Sequence, residues 1–231
     1  MFKLFSGSAN PKLSDEVSKL LHVPIAKSEV TRFDNSEIRV TIQEKVKDNV
    51  CVIIQPTANP TDTHLMELFF FADALRRMEA KKIIAFIPYF GYARQNREHR
   101  VGESVSVNVV IRFFETIGFS QVFTFDLHDD GTEGIFSIPF KNLSTFSILG
   151  REVAHYLKNN RNTEEVAIVS PDQGGVERAQ IFAENFFHSN NVDIAVIEKR
   201  RNLDKIHQSK ALNLYGEVKD KTCIIVDDII T

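Results

Sequence analysis

The sequence predicts an α/β protein built on mainly parallel sheets, in two successive domains. Three observations carry this. Short apolar, β-branched runs alternate with amphipathic helical stretches, as chains of βαβ units do. The alternation pauses near Pro139 to Ser144 and then restarts. Polar residues gather directly after the apolar runs, where a parallel sheet presents its carboxyl edge.

The elements follow in order. Phe2 to Phe5 is a short strand ending in Ser6-Gly7-Ser8. Pro11 to Leu21 is a helix, with Leu13, Val17, Leu20 and Leu21 at helical spacing and proline near its start. Val30 to Gln43 is two extended pieces around the turn Asp34-Asn35-Ser36. Val50 to Gln55 is a buried strand closed by Pro56. Thr61 to Met78 is a helix with Leu65, Leu68, Phe69, Ala72 and Leu75 on one face, and Phe69-Phe70-Phe71 is assigned to the core. Lys82 to Pro88 is a strand. In Ser104 to Ile117, Val105, Val109, Phe113 and Ile117 recur every fourth residue and mark a helix. Gln121 to Phe125 is a strand. The second half gives a helix from Ser144 to Asn159, a strand from Val166 to Ser170, a helix from Val176 to about Phe187, a strand from Val192 to Glu198 and a last buried strand, Lys221 to Val226. The two domains are therefore 1–143 and 144–231.

Composition narrows the class of protein. Of the 231 residues, 43% are hydrophobic and 26% charged, as in a globular protein with a substantial core. A net charge of -3 offers no general attraction to nucleic acid or to a membrane surface. No apolar run is long enough to span a bilayer, and Met1 to Ser6 lacks the apolar stretch of a secretory signal. Cys51 and Cys223 lie in apolar runs without metal-binding spacing. They are expected as buried free thiols in a reducing compartment, the cytoplasm. With 19 Phe and no Trp, phenylalanine is the aromatic core filler.

The strand ends hold one consistent set of polar residues. Tyr92-Ala93-Arg94-Gln95-Asn96-Arg97 follows the Lys82 strand, and Asp126-Leu127-His128-Asp129-Asp130 follows the Gln121 strand. Asp172-Gln173-Gly174-Gly175 follows the Val166 strand, Lys199-Arg200-Arg201 follows the Val192 strand, and Asp227-Asp228 follows the last. Cations beside carboxylates suit a phosphorylated substrate with a divalent ion, since phosphate takes Arg or Lys and Mg2+ takes hard oxygen. Taken singly, each has a plainer reading. Arg94-Gln95 fits a solvated turn, His128 a core histidine, and Gly174-Gly175 a tight turn into a helix. Lys199-Arg200-Arg201 fits a solvated charge run, and Asp227-Asp228 a turn cap.

Taken together, Phe5-Ser6-Gly7-Ser8, Arg32-Phe33-Asp34-Asn35-Ser36-Glu37, Leu65-Met66-Glu67-Leu68, Tyr92-Ala93-Arg94-Gln95, Asp126-Leu127-His128, Ser170-Pro171-Asp172-Gln173-Gly174-Gly175 and Val226-Asp227-Asp228 occur in the order seen in ribose-phosphate pyrophosphokinases. The chain resembles that family over essentially its whole length. Gly102-Glu103 and Asp227-Asp228-Ile229-Ile230 are most similar to its archaeal-type branch. The resemblance implies two type I phosphoribosyltransferase-like domains. It also implies transfer of the diphosphoryl group of ATP to the C1 hydroxyl of ribose 5-phosphate, giving phosphoribosyl pyrophosphate and AMP. By matching position, Phe33 would stack on adenine and Asn35 and Glu37 would hold the base edge. Arg94 and Gln95 would contact ATP. His128 would help hold Mg2+ with ATP, and Asp172 would sit at the second Mg2+ and ribose region. Lys199 and Arg201 would be the cations of a mobile catalytic loop that continues through the polar stretch Asn202 to Asn213. Asp227 and Asp228 would hold the ribose hydroxyls. The resemblance further implies a homo-oligomer with its ATP site at a subunit interface.

Three departures from the family pattern stand out. Asp129 and Asp130 add acid after His128, where the family has small residues; tighter metal binding and weaker ATP binding are both open. Asn96-Arg97-Glu98-His99 changes the charge after Arg94-Gln95. The Thr- and Gly-rich loop for the 5-phosphate, expected after the two acids, does not follow before Thr231. The expectation is therefore an incomplete second domain and little or no product from these 231 residues alone. A non-catalytic regulatory homologue is one alternative. A phosphoribosyltransferase is another, although it has no use for the Phe33 and Arg94 loops.

Overall fold

The computed structural model describes residues 2–159, 166–188, 192–201 and 209–230; for residues 159, 199–201 and 209–212 it describes the backbone alone. The chain forms two compact units, Met1–Leu143 and Ser144–Thr231, each with its own apolar core.

The first unit runs β1 (Phe2–Ser6), α1 (Pro11–Leu21), β2 (Ser28–Arg32), β3 (Ile38–Ile42), β4 (Val50–Ile54), α2 (Thr61–Arg77), β5 (Lys82–Ile87), α3 (Ser106–Ile117), β6 (Gln121–Phe125) and β7 (Phe140–Leu143). Strands β1, β4, β5, β6 and β7 lie in that order, every neighbouring pair parallel. This topology places the loops after β4, β5 and β6 at one edge. Helix α1 starts where Asn10 accepts the Leu13 N–H through its side chain at 3.0 Å and Pro11 supplies a pre-set φ. Helix α3 stops at Gly118, whose φ of 104° suits a residue without Cβ. Phe69, Phe114, Phe90 and Phe140 form a chain of ring contacts in the core, edge-to-face at its two ends and tilted between Phe90 and Phe114. Each such buried ring contributes about 2–3 kcal/mol of apolar burial.

Strands β2 and β3 form a separate antiparallel hairpin that leans on α2. Val30, Val40 and Ile42 face the core. Strand alternation therefore turns Thr31, Arg39 and Thr41 outward, together with Phe33 and Glu37 at the tip.

The second unit runs α4 (Phe146–Asn159), β8 (Val166–Ser170), α5 (Val176–Phe187), β9 (Ile194–Arg201), β10 (Ser209–Tyr215) and β11 (Thr222–Ile225). Its sheet order is β10-β9-β8-β11, with β9, β8 and β11 parallel and β10 antiparallel. Phe146, Ile168, Phe182 and Val226 are its buried centre.

Several expectations need correction. Cys223 is exposed, because β11 is an edge strand and every second residue faces away from the core; Cys51 is buried as expected. Phe70 is partly exposed between buried Phe69 and Phe71. Helix α3 buries Val107, Val110, Ile111 and Phe114; of the expected stripe, Val109 and Phe113 are exposed, and Val105 and Ile117 pack only partly against the core. Leu20 of α1 is also exposed. The stretch just before the Leu143/Ser144 boundary, where no element was expected, is strand β7 (Phe140–Leu143). Residues 209–213, expected as loop, belong to β10; residues 202–208 of that same loop lie outside the described residues. Among the described residues, no helix is long and apolar enough to cross a membrane.

Candidate active site

In the first unit the site is built from the loop after β5. Thr57, fully buried just past β4, fastens that loop. Its hydroxyl donates to the Tyr89 carbonyl at 2.9 Å and accepts the Gly91 N–H at 2.7 Å, and its own N–H reaches the Tyr89 carbonyl at 2.9 Å. A Cβ on Gly91 would meet the Thr61 Cγ2 at 2.5 Å and the Thr57 carbonyl oxygen at 2.8 Å, so the approach requires glycine. Tyr92 takes a left-handed φ of 65° and donates its phenol to Asp62 in the first turn of α2; that hydrogen bond raises the phenol's pKa.

The loop then presents Arg94, exposed at the edge. Gln95 is more constrained. Its side-chain oxygen accepts from the Ser106 hydroxyl at 2.7 Å and its backbone oxygen accepts the Val107 N–H at 3.3 Å, so it caps the start of α3. The amide NH2 is the group Gln95 offers a ligand.

After β6 the backbone turns at Asp126, with φ 39°, and His128 follows half-buried. The Leu127 N–H donates to the Asn142 side chain at 3.0 Å, and Asn142 donates to Asp130 at 2.7 Å. Asp129 accepts the Gly131 N–H at 2.9 Å, capping the short 3-10 helix Asp130–Ile135, and its second oxygen accepts from the Asn96 side chain. Both added acids are thus committed to loop structure. The Asn96–Asp129 bond also joins the loop of Arg94 and Gln95 to the loop of His128.

On the hairpin, Phe33 is exposed, and the Arg39 guanidinium lies 5.1 Å from its ring centroid. The Asn35 side-chain oxygen accepts the Glu37 N–H at 3.1 Å, and Arg32 donates to the Ser36 carbonyl at 2.7 Å. Asn35 is therefore partly a turn-former.

In the second unit, parallel pairing of β8 with β11 sets their following loops side by side. Asp172 caps a 3-10 turn by accepting the Gly175 N–H at 3.1 Å. Asp228 is nearly buried, with a side chain 5% exposed, and pairs with Arg178 of α5 at 2.9 Å. Asp227 lies 3.9 Å from the same guanidinium, with its side chain 40% exposed. Burial first, then the hydrogen bond to the Asp228 side chain and the charges of Asp228 and Asp172, raises the Asp227 pKa. The Asp228 N–H, donated to Asp227 at 2.9 Å, partly opposes this. Lys199 and Arg201 have their backbones in β9; their side chains lie outside the described residues.

Sequence reasoning missed Thr57, Asn96, Asp129 as a loop tie, and Arg178. Only Arg178 left a signal. Two acids after a wholly apolar strand call for a cation, and Arg178 opens the next helix along the same edge.

Two mainly parallel α/β units, with an Arg-amide loop at the carboxyl edge of the first and an acid pair closing a strand of the second, place the chain in the class of α/β proteins that bind ligands at their strand ends. Residues 2–118 match the family model described as the N-terminal domain of ribose phosphate pyrophosphokinase, and residues 141–231 match a phosphoribosyl transferase domain. The ribose-phosphate pyrophosphokinases of Ralstonia nicotianae and Bacillus subtilis are 41% and 39% identical over 228 residues. Those residues are 98% and 99% of this chain, and 69% and 68% of the respective relatives. A crystal structure of phosphoribosylpyrophosphate synthetase from Mycobacterium smegmatis superposes with a TM-score of 0.82 at 32% identity, covering 98% of this chain and 70% of that one. The chain belongs to the ribose-phosphate pyrophosphokinase family, and its enzymatic class is that of a kinase-type transferase in phosphoribosyl pyrophosphate biosynthesis.

Proposed function

We propose that the first unit binds ATP, that the second binds ribose 5-phosphate, and that the reaction passes the diphosphoryl group of ATP to the sugar's C1 hydroxyl. The observation that carries this is the joined pair of loops bearing Arg94, Gln95 and His128 at the carboxyl edge of the first sheet. A transferase acting on a ready-made phosphoribosyl donor has no use for them. Arg94 meets the phosphates, and Gln95 contributes its amide NH2. Phe33, Asn35 and Glu37 take the base. Phe33 and Glu37 face away from their own unit's core, which supports an ATP site completed by a second copy of the chain. Asp227 accepts from the ribose hydroxyls, and Asp228, anchored by Arg178, fixes its direction.

Lys199 and Arg201 are the proposed cations on the transferring group, one such cation contributing ~3 kcal/mol in the transition state. His128 is the residue that would help hold Mg2+ with ATP, and Asp172 would sit at a second Mg2+ in the ribose region. Asp172 adds to the charge that raises the Asp227 pKa, and crowded carboxylates suit a hard cation. Among the described residues no group of three or more His, Cys, Asp or Glu forms a ready-made cage. Each ion would share its coordination with water and phosphate oxygens, as Mg2+ commonly does. Bound Mg2+ would neutralise charge across the phosphates. An exposed free thiol at Cys223 supports a reducing, cytoplasmic setting.

Calorimetric titration with ATP and, separately, ribose 5-phosphate tests the assignment. Arg94→Ala is expected to weaken ATP binding about tenfold and leave ribose 5-phosphate unaffected. ATP binding indifferent to Arg94→Ala would overturn it. Release of AMP that depends on both substrates is the direct test of the reaction.

A further inference from the structure

The loop carrying Arg94 and Gln95 is exposed from Arg97 to Ser104, and Val101 projects fully into solvent. Upstream of Arg94 the loop is held firmly, by Thr57 and by the Asp62–Tyr92 bond. Downstream, Gln95 holds α3. Asn96 is half-buried, and its side chain crosses to Asp129, one residue beyond His128. Asp129 divides its carboxylate between two tasks, Oδ1 for the Gly131 N–H and Oδ2 for Asn96. Asp130 secures the other side of the His128 loop to β7 through Asn142, which also receives the Leu127 N–H.

We propose that Asn96 and Asp129 form a latch that sets the loop of Arg94 and Gln95 at a fixed distance from the loop of His128. They are positioning residues, acting on nucleotide through their neighbours. The chemistry favours this arrangement over a metal ligand at Asp129. Both Asp129 oxygens already hold the loop, one in the turn cap and the other on the amide NH2, which fixes the carboxylate's orientation. Removing the tie frees the two loops to separate, and an oriented cation loses affinity when its support loosens.

The inference rests on ATP binding at this edge, so its test carries a readout that does not need ATP. Four variants of the 231-residue chain are compared: Asn96→Ala, Asn96→Asp, Asp129→Asn, and the exchange Asn96→Asp/Asp129→Asn. The exchange keeps both the bond and the turn cap while reversing which side carries the charge. Hydrogen–deuterium exchange without nucleotide is expected to accelerate at residues 92–97 and 127–131 in Asn96→Ala and Asn96→Asp, the latter setting two carboxylates together. It should return to the parent rate in the exchange variant. ATP affinity, measured with and without Mg2+, should fall about fivefold in Asn96→Ala and recover to within about twofold in the exchange variant.

Unchanged exchange rates in Asn96→Ala, or losses in the two single Asp/Asn variants that add in the exchange variant, would overturn the latch. Loop exchange that behaves as described while Arg94→Ala leaves ATP affinity intact would instead overturn the nucleotide assignment.

Discussion

At the scale of the residue, the informative group is Asp227. Its carboxyl is pushed above the ordinary carboxylate value near 3.8 by burial and by the neighbouring acids. Below that value the group is protonated whether the chain is folded or not, and it contributes nothing. As pH rises past it, the unfolded chain gives up the proton first while the folded chain still holds it. Stability is therefore lost as pH climbs towards the folded-state value, and the loss is complete above it. Asp227→Asn removes this loss. The variant's melting temperature should match the parent's below pH 3.8 and exceed it at pH 7, while ribose 5-phosphate binding weakens at least about tenfold. A variant that melts below its parent at pH 7 would show that the acid's place is structural. Asp228 contrasts with it: Arg178 compensates its charge, and the near-burial of its carboxylate makes sense only with that partner.

At the scale of the element, the loop between β1 and α1 shows how a buried carboxyl group is put to use. Glu67 of α2 is 1% exposed and accepts the Ser8 N–H at 2.7 Å together with the Ser8 hydroxyl, while buried Gln55 accepts the Ala9 N–H at 3.0 Å. Replacing Glu67 with leucine leaves the Ser8 donors without an acceptor. The expected cost is about 2–3 kcal/mol in urea unfolding, and a change under about 0.5 kcal/mol would show that water takes over the role. The sequence already pointed to this loop and to Glu67, as parts of two motifs, without giving their contact. The same division runs through the elements. Helix α2 was legible because Leu65, Leu68, Phe69, Ala72 and Leu75, read as one face, are all buried, although Phe71 and Glu67 widen that face and Phe70 lies outside it. Helix α3 was legible as a helix but not in its orientation, since it is apolar on two sides and only packing decides which is buried. Strand β7 contains Lys141 and Asn142 and forms because β6 offers it a ladder. Strand β10 likewise depends on β9. Asn96 and Asp129 are unreadable as partners in sequence, because only the alignment of β5 beside β6 brings them together.

At the scale of the whole molecule, the two units differ in how much apolar surface each can hide. The first packs a five-stranded sheet against a large cluster of buried residues that includes Phe5, Phe69, Phe71, Phe90 and Phe114. The second centres on a smaller cluster around Phe146, Ile168 and Phe182, and its sheet ends in β11 with Ile225 63% exposed. A smaller unit buries a smaller fraction of its surface and keeps a thinner margin over chain entropy. Each unit has a core of its own. Hydrogen–deuterium exchange across a urea series should show peptides from 144–231 losing protection at a midpoint about 1 M lower than peptides from 1–143. Ribose 5-phosphate should raise the lower midpoint and leave the upper one in place, because a ligand stabilises the unit that binds it. A single midpoint shared by all peptides would mean that the units are thermodynamically coupled. A rise confined to 1–143 would place the sugar phosphate on the wrong unit and, with it, the proposed role of Asp227.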